Sequence, residues 1–398
     1  MTASLYIHIP FCAGVCDYCD FFSVSIDELV NTNLIDLFID AVLGDIESQL
    51  ARFNVDNVPT VYIGGGTPSA LGAERMERLL AGLRILLQPM QKPVAEFTVE
   101  ANPESIDEHF LRVCADGGVN RISLGVQTFH EPSRAAVHRI GNSNMLNERL
   151  SLAAAYFPGA FSVDLITGLP LHTNEIVIKD IEHLLAFQPA HISLYSLIVE
   201  PETPLGRQVT LNGAARRNAA ALSLPCGDDA DSLWIAGRDR LEAAGLTQYE
   251  VSNFALPGKT CAHNIRYWRM ENWLGAGPAA SGTIIDDADG SAKRFTYPAD
   301  INAYIAAPKP CVEIIDRADL MRETLLMGFR YREGPDPLSF RRRFGCGIEG
   351  CIPETIARWR TRGFFAEGQS GNFAPSRDGL LFLNRFLQDA FAELGNRD

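Results

Sequence analysis

The stretch "YIHIPFCAGVCDYCDFFS", Tyr6 to Ser23, places Cys12, Cys16 and Cys19 on a loop directly after a short apolar, β-branched run. Similar runs recur downstream and predict strands at 5–9, 60–64, 96–100, 121–126, 161–166 and 191–197. Helical patterns fall between them, at roughly 33–52, 72–87, 105–116, 145–155 and 174–187. The segment "GAERMERLLAGLRILL" (72–87) shows the amphipathic spacing most clearly. Strands alternating with helices imply parallel strands in βαβ units. Six units fit an incomplete α/β barrel, and a doubly wound open sheet fits the periodicity almost as well.

Beyond residue 206 the pattern changes. "GRQVTLNGAARRNAAALSLPCGDDADS" is polar and irregular, and predicts an inserted loop with an excursion at about 208–224. From about 311 the chain becomes mainly helical, with a hairpin-like piece, "FFAEGQSGNFAPS", before the last helix. That order predicts a small winged-helix-like domain. The whole chain has 398 residues, 46% apolar and 21% charged, which is globular rather than disordered composition. A formal net charge of −14 argues against a binder that tracks nucleic-acid phosphates. The opening "MTASLYIHIP" reads as a strand rather than a signal peptide, and no apolar run is long enough to span a bilayer. Peripheral membrane contact stays open, and a reducing cytoplasm is the expected compartment.

Nine cysteines in such a chain point to metal or redox chemistry rather than a disulfide framework. Cubane iron–sulfur clusters normally take four thiolates. Three close cysteines with no fourth nearby leave one iron open to a small molecule. The alternative is a zinc knuckle that borrows a distant fourth ligand. Cys114 and Cys311 sit in apolar contexts and read as packing cysteines. Cys346 and Cys351 read as an incidental pair, with a bridge or metal site as the alternative. "FRRRFG" (340–345) reads as a solvated helix face.

The spacing CxxxCxxC after the first strand resembles the radical S-adenosylmethionine signature. "YIGGGTPS", "VEANPES", "NRISLGVQTF", "DLITGLP", "LYSLIVEPETPL", "YEVSNFA" and "HNIRYW" follow in order. Together they resemble the branch that contains oxygen-independent coproporphyrinogen III oxidase (HemN) and its relative, the heme chaperone HemW. The resemblance implies an α/β fold: an incomplete (β/α)6 barrel of TIM type, then a mainly helical, winged-helix-like C-terminal domain. It implies three parts, residues 1–206, 207–310 and 311–398. It also implies a [4Fe–4S] cluster on Cys12, Cys16 and Cys19, with S-adenosylmethionine on the open iron.

By similarity, S-adenosylmethionine is contacted by Tyr6, Tyr18, Gly65, Gly66, Thr67, Glu100, Gln127, Arg139, Asp164 and Ile198. Glycines at a strand end let backbone approach a ligand, and the polar side chains supply donors and acceptors for ribose, adenine and carboxylate. Each polar residue taken singly reads as structural or solvated. "CAHNIRYW" (261–268) matches an HNxxY motif associated with heme in this branch, which makes His263, Tyr267 and Cys261 the heme candidates. Structural hydrogen bonding by His263 is the alternative.

Phe21 chooses within the branch. The oxidase motif carries a further cysteine there, and the chaperone motif does not; the strand that starts near residue 1 points the same way. Two positions depart from the family pattern: Gly141 and Ser281 stand where relatives carry histidine. The expected function is therefore chaperone-like: binding heme and delivering it to apo heme proteins as clients. The alternative is a radical oxidoreductase of the coproporphyrinogen oxidase type, and a third possibility keeps the cluster for structure alone.

Overall fold

The computed structural model describes residues 1–29, 33–214, 224–368 and 372–395. Six parallel strands form its centre: β1 (Ser4–Ile9), β2 (Thr60–Gly65), β3 (Glu96–Ala101), β4 (Arg121–Gln127), β5 (Phe161–Thr167) and β6 (His191–Ser196). They lie side by side in chain order. Right-handed crossovers in such an order put every connecting helix on one face. Those helices are α1 (Asn33–Arg52), α2 (Gly72–Leu87), α3 (Glu108–Asp116), the short α4 (Glu131–Ala136), α5 (Ser143–Tyr156) and α6 (Asn174–Leu185).

Alternation along each strand divides the two faces. Leu5, Ile7, Val61, Ile63, Val99, Ile122, Leu124, Val163 and Ile192 are fully buried in one apolar core with the helices. The residues between them point the other way and are largely polar: Tyr6, Thr60, Tyr62, Glu96, Glu100, Arg121, Ser123, Ser162, Asp164 and His191. α2 meets the core through Met76, Leu79, Leu80 and Leu83. Helix starts are fixed by side-chain caps: Asp107 accepts from Phe110 N–H (2.7 Å) and Asn142 from Met145 N–H (3.0 Å). The Asp107 cap is why the third helix begins at Glu108, after the 3-10 turn at 103–105, and not at 105.

The sheet is mixed and open. The irregular stretch after 206 contains α7 (Pro204–Ala214) and α8 (Asp228–Ala243), so helices replace much of the expected loop; residues 215–223 of the excursion lie outside the described residues. α8 packs on α6 and β6, where Leu233 and Leu241 are buried. Two short antiparallel strands, β7 (Thr247–Gln248) and β8 (Asn253–Ala255), close one edge beside β6. After α9 (Ala262–Trp268), strand β9 (Trp273–Ala276) runs parallel to β1 on the opposite edge. It is followed by antiparallel β10 (Ser281–Asp286) and β11 (Ser291–Thr296), then α10 (Ile301–Ala306) and β12 (Cys311–Ile315). The sheet therefore has twelve strands among the described residues, and its two edges do not meet.

Residues 311–315 belong to this sheet, so the helical region starts at α11 (Arg317–Gly328). It continues with α12 (Pro337–Phe344), α13 (Ile348–Cys351), α14 (Pro353–Thr361), a hairpin of β13 (Phe365–Glu367) and β14 (Phe373–Pro375), and α15 (Leu383–Gly395). A second core holds this region together, centred on Phe329, Trp359, Phe365, Phe373 and Phe386. Phe365 and Phe386 stack with centroids 4.0 Å apart.

Candidate functional site

The loop after β1 is bound back onto the strand ends. Phe11–Cys12 pairs with Val24–Ser25, and Cys19 N–H donates to Cys16 O (3.1 Å). From β2, Gly66 N–H reaches Ile9 O (2.8 Å) and Thr67 N–H reaches Phe11 O (2.7 Å). A Cβ on Gly66 would lie 2.9 Å from Phe11 O and 3.0 Å from Cys12 Sγ, so only glycine lets the two loops meet. Cys12 Sγ lies 3.4 Å from Thr67 Oγ1, and Arg139 Nη1 donates to Cys16 Sγ (3.3 Å). Asp17, between the sulfurs, is held by His138 Nδ1 (2.8 Å).

Cys12, Cys16 and Cys19 line one cavity of about 540 Å³ at the carboxyl ends of the parallel strands. That is the face where barrel-like α/β folds gather chemistry. Burial raises the thiols of Cys12 and Cys19, the latter to about 11, so ligation of a metal displaces protons there. Among the described residues no three His, Cys, Asp or Glu side chains converge tightly enough for a single ion. Three sulfurs spread around one cavity instead suit a polynuclear cluster, in which each thiolate takes its own iron.

Facing the sulfurs are Glu100, Asp164, Gln127, Arg139, Asn102 and Ser123. Tyr62 donates to Glu100 Oε1 (2.6 Å) and Gly65 N–H to Oε2 (3.2 Å). Burial, reinforced by the nearby Asp164, pushes Glu100 up to about 7. Burial also raises Asp164, which accepts from Ser123 Oγ (3.4 Å). Two destabilised carboxylates in one cavity suit a cationic ligand. Asn102 relays between the walls, donating to Thr67 Oγ1 (2.9 Å) and accepting from Arg139 Nη2 (2.7 Å).

Gln127 Oε1 and Arg139 Nε are buried here without a hydrogen-bond partner among the described residues. Gln127 also sits at φ +69°, beside a register shift against β5. Unpaired polar atoms and a left-handed non-glycine residue at a cavity wall mark a place kept for a ligand. The donor set therefore fits a cluster with a polar, cationic small molecule beside it. Tyr18, Gly65, Gly66 and Thr67 line the same cavity. Ile198 is at its rim, 72% exposed, as is Phe21 at 70%. Tyr6 lies outside the lining: its hydroxyl meets His8 Nδ1 (3.1 Å) and its ring stacks on Tyr62.

The heme candidates occupy the opposite end of the strands. Glu96, at the start of β3, accepts from the N–H groups of Ala262 (2.7 Å) and His263 (2.8 Å) and so caps α9. Cys261 is fully buried, and its thiol also faces Glu96 (3.4 Å). Thr60 Oγ1 donates to Ser4 Oγ (2.8 Å), which leaves it to accept from His263 Nδ1 (2.9 Å). His263 Nε2 then accepts from the Tyr267 hydroxyl (3.0 Å). The imidazole is stacked on Tyr62, and burial lowers it to about 3, so it is neutral. Neutral imidazole is the iron-binding form, but in this conformation its lone pair is used by Tyr267. Gly141 is a turn residue at φ +96°, and Ser281 Oγ meets Thr296 Oγ1 (3.1 Å) across the paired strands β10 and β11.

The cavity also uses Tyr62, Asn102 and Ser123, which motif reading does not single out. The period-two placement of polar residues in buried strands was the available signal. Elsewhere, no helix among the described residues is long and apolar enough to cross a membrane.

Comparison with known proteins agrees with this site. The Radical SAM superfamily model matches residues 6–184. The chain is 36% identical over 398 residues to heme chaperone HemW of Escherichia coli strain K12, covering 98% of each. It is 35% identical over 358 residues to heme chaperone HemW of Lactococcus lactis, covering 89% of this chain and 88% of that protein. Among solved structures, E. coli coproporphyrinogen III oxidase (HemN), described as a radical SAM enzyme, superposes with a TM-score of 0.77 at 20% identity, covering 98% of this chain and 90% of that one. That likeness concerns the fold. On these matches and the three-cysteine cavity, the chain belongs to the HemW family within the radical SAM superfamily.

Proposed function

We propose that the chain is a cytoplasmic heme chaperone that binds a [4Fe–4S] cluster and S-adenosylmethionine, binds heme, and delivers it to apo heme proteins. One observation carries this: a chain that keeps the whole three-thiol cavity aligns end to end with a protein named heme chaperone HemW. Cys12, Cys16 and Cys19 hold the cluster. Glu100 and Asp164 face the cationic part of S-adenosylmethionine, with Gly65, Gly66 and Thr67 alongside. Gln127 and Arg139 use their unpaired atoms on its polar groups. Tyr18 and Ile198 border it, and Tyr6 supports the wall through Tyr62. When bound, the cluster supplies an electron able to cleave the sulfonium to a 5′-deoxyadenosyl radical.

Heme contact is assigned to His263, Tyr267 and Cys261, and it requires the Tyr267 hydroxyl to release His263 Nε2. The six-strand segment is read as an incomplete (β/α)6 barrel, supported by its single-wound order and polar inner face. Helices α12–α14 followed by a hairpin support a winged-helix-like unit, and a division at 1–206, 207–310 and 311–398 accompanies it. The test is transfer from anaerobically reconstituted, heme-loaded protein to an apo heme protein, with 5′-deoxyadenosine assayed alongside. Transfer with little nucleoside supports the chaperone. No heme bound, with 5′-deoxyadenosine formed in step with porphyrinogen consumed, makes the chain an oxidase-type radical enzyme instead.

A further inference from the structure

We propose that Cys346 and Cys351 form a reversible dithiol–disulfide exchange site in the C-terminal helical unit, separate from the cluster cavity. Gly345 ends α12 in the left-handed conformation (φ +67°), and the chain turns at once into α13. That turn brings Cys346 Sγ to 3.0 Å from Cys351 Sγ, closer than two sulfurs in ordinary contact. Both are thiols, not a formed bond. Cys346 is half-buried and reachable, whereas Cys351 is buried at 8% exposure. An accessible thiol backed by a shielded one is the arrangement of an attacking and a resolving cysteine.

The site is mechanically placed. The last turn of α12 is fastened to the large sheet by Arg343, whose Nε reaches Asp287 Oδ1 (2.8 Å) and whose Nη2 reaches Met270 O (3.2 Å), just past α9. Residues 346–351 follow directly on that docking turn.

The oxidant class is a low-molecular-weight disulfide such as oxidised glutathione. Cys346 thiolate attacks one glutathione sulfur, the S–S bond breaks, and one glutathione thiolate leaves. Cys351 thiolate then attacks the Cys346 sulfur of the mixed disulfide and expels the second. Two protein thiols give up two electrons and two protons, and one glutathione disulfide becomes two thiols.

The test treats the anaerobic, cluster-loaded full chain with oxidised glutathione, then acid-quenches, alkylates and digests it with trypsin. Peptide 344–358, "FGCGIEGCIPETIAR", carries both cysteines and no other. The expected result is a peptide two hydrogens lighter and unalkylated, returned to the doubly alkylated form by excess reduced glutathione. Cys351→Ser is expected to trap glutathione on Cys346. A peptide that stays doubly alkylated in oxidised glutathione, or a Cys351→Ser chain with no adduct, overturns the proposal.

Discussion

At the amino-terminal ends of the parallel strands, His263 and His191 each have both ring nitrogens in hydrogen bonds: His263 to Thr60 and Tyr267, His191 to Ser162 and Tyr249. At the carboxyl-terminal ends of the same strands, Gln127 Oε1 and Arg139 Nε have none among the described residues, and burial raises Glu100 to about 7. The two histidines at one end are satisfied internally; the glutamine oxygen and arginine nitrogen at the other are left open in the cavity of the three thiols. Buried polar groups are costly unless paired, so the open end is the one built for something to arrive.

The largest expected effect breaks the cavity. Cys12→Ala, Cys16→Ala or Cys19→Ala should each reduce iron and sulfide after anaerobic reconstitution to background, with an unchanged circular dichroism spectrum. A variant that retains full iron removes that cysteine from the cluster.

The next sharpens the contrast. His263→Ala loses two hydrogen bonds and its stacking on Tyr62, and should cost about 2–4 kcal/mol in denaturant unfolding. Gln127→Ala should change stability by less than about 1 kcal/mol, because its carbonyl is already unpaired, yet weaken S-adenosylmethionine binding by calorimetry. The reverse ranking would dissolve the distinction between the two ends.

A smaller effect follows from Glu100. Its folded value of about 7 stands above the ordinary 4.5, so the folded chain holds that proton more tightly. The stabilisation is complete below about pH 4.5 and is lost as pH rises through about 7, at most about 3 kcal/mol in the ligand-free protein. Glu100→Gln should flatten that slope. An unchanged pH profile would show that Glu100 is not the group responsible.

Sequence legibility followed burial. The six strands were readable to within a residue or so because one face of each carries an unbroken set of core residues such as Ile7, Ile63, Val99 and Ile122. The cysteine loop was readable because three thiols at that spacing have few other uses. Helices α7 and α8 were not, because their polar, glycine-interrupted sequence lacks a clear apolar stripe. Nor was the role of Tyr62 and Asn102, which depends on neighbours distant in the chain. The heme candidates show the limit most plainly: the motif names His263, and only its surroundings reveal that Tyr267 competes for Nε2.

That competition supplies the most direct measurement: anaerobic heme titration of wild type, Tyr267→Phe and His263→Ala, followed by Soret absorbance. If His263 binds the iron, Tyr267→Phe frees its lone pair and binds heme more tightly than wild type, and His263→Ala binds it least. Three superimposable curves, or no heme bound by any of them, would contradict the account.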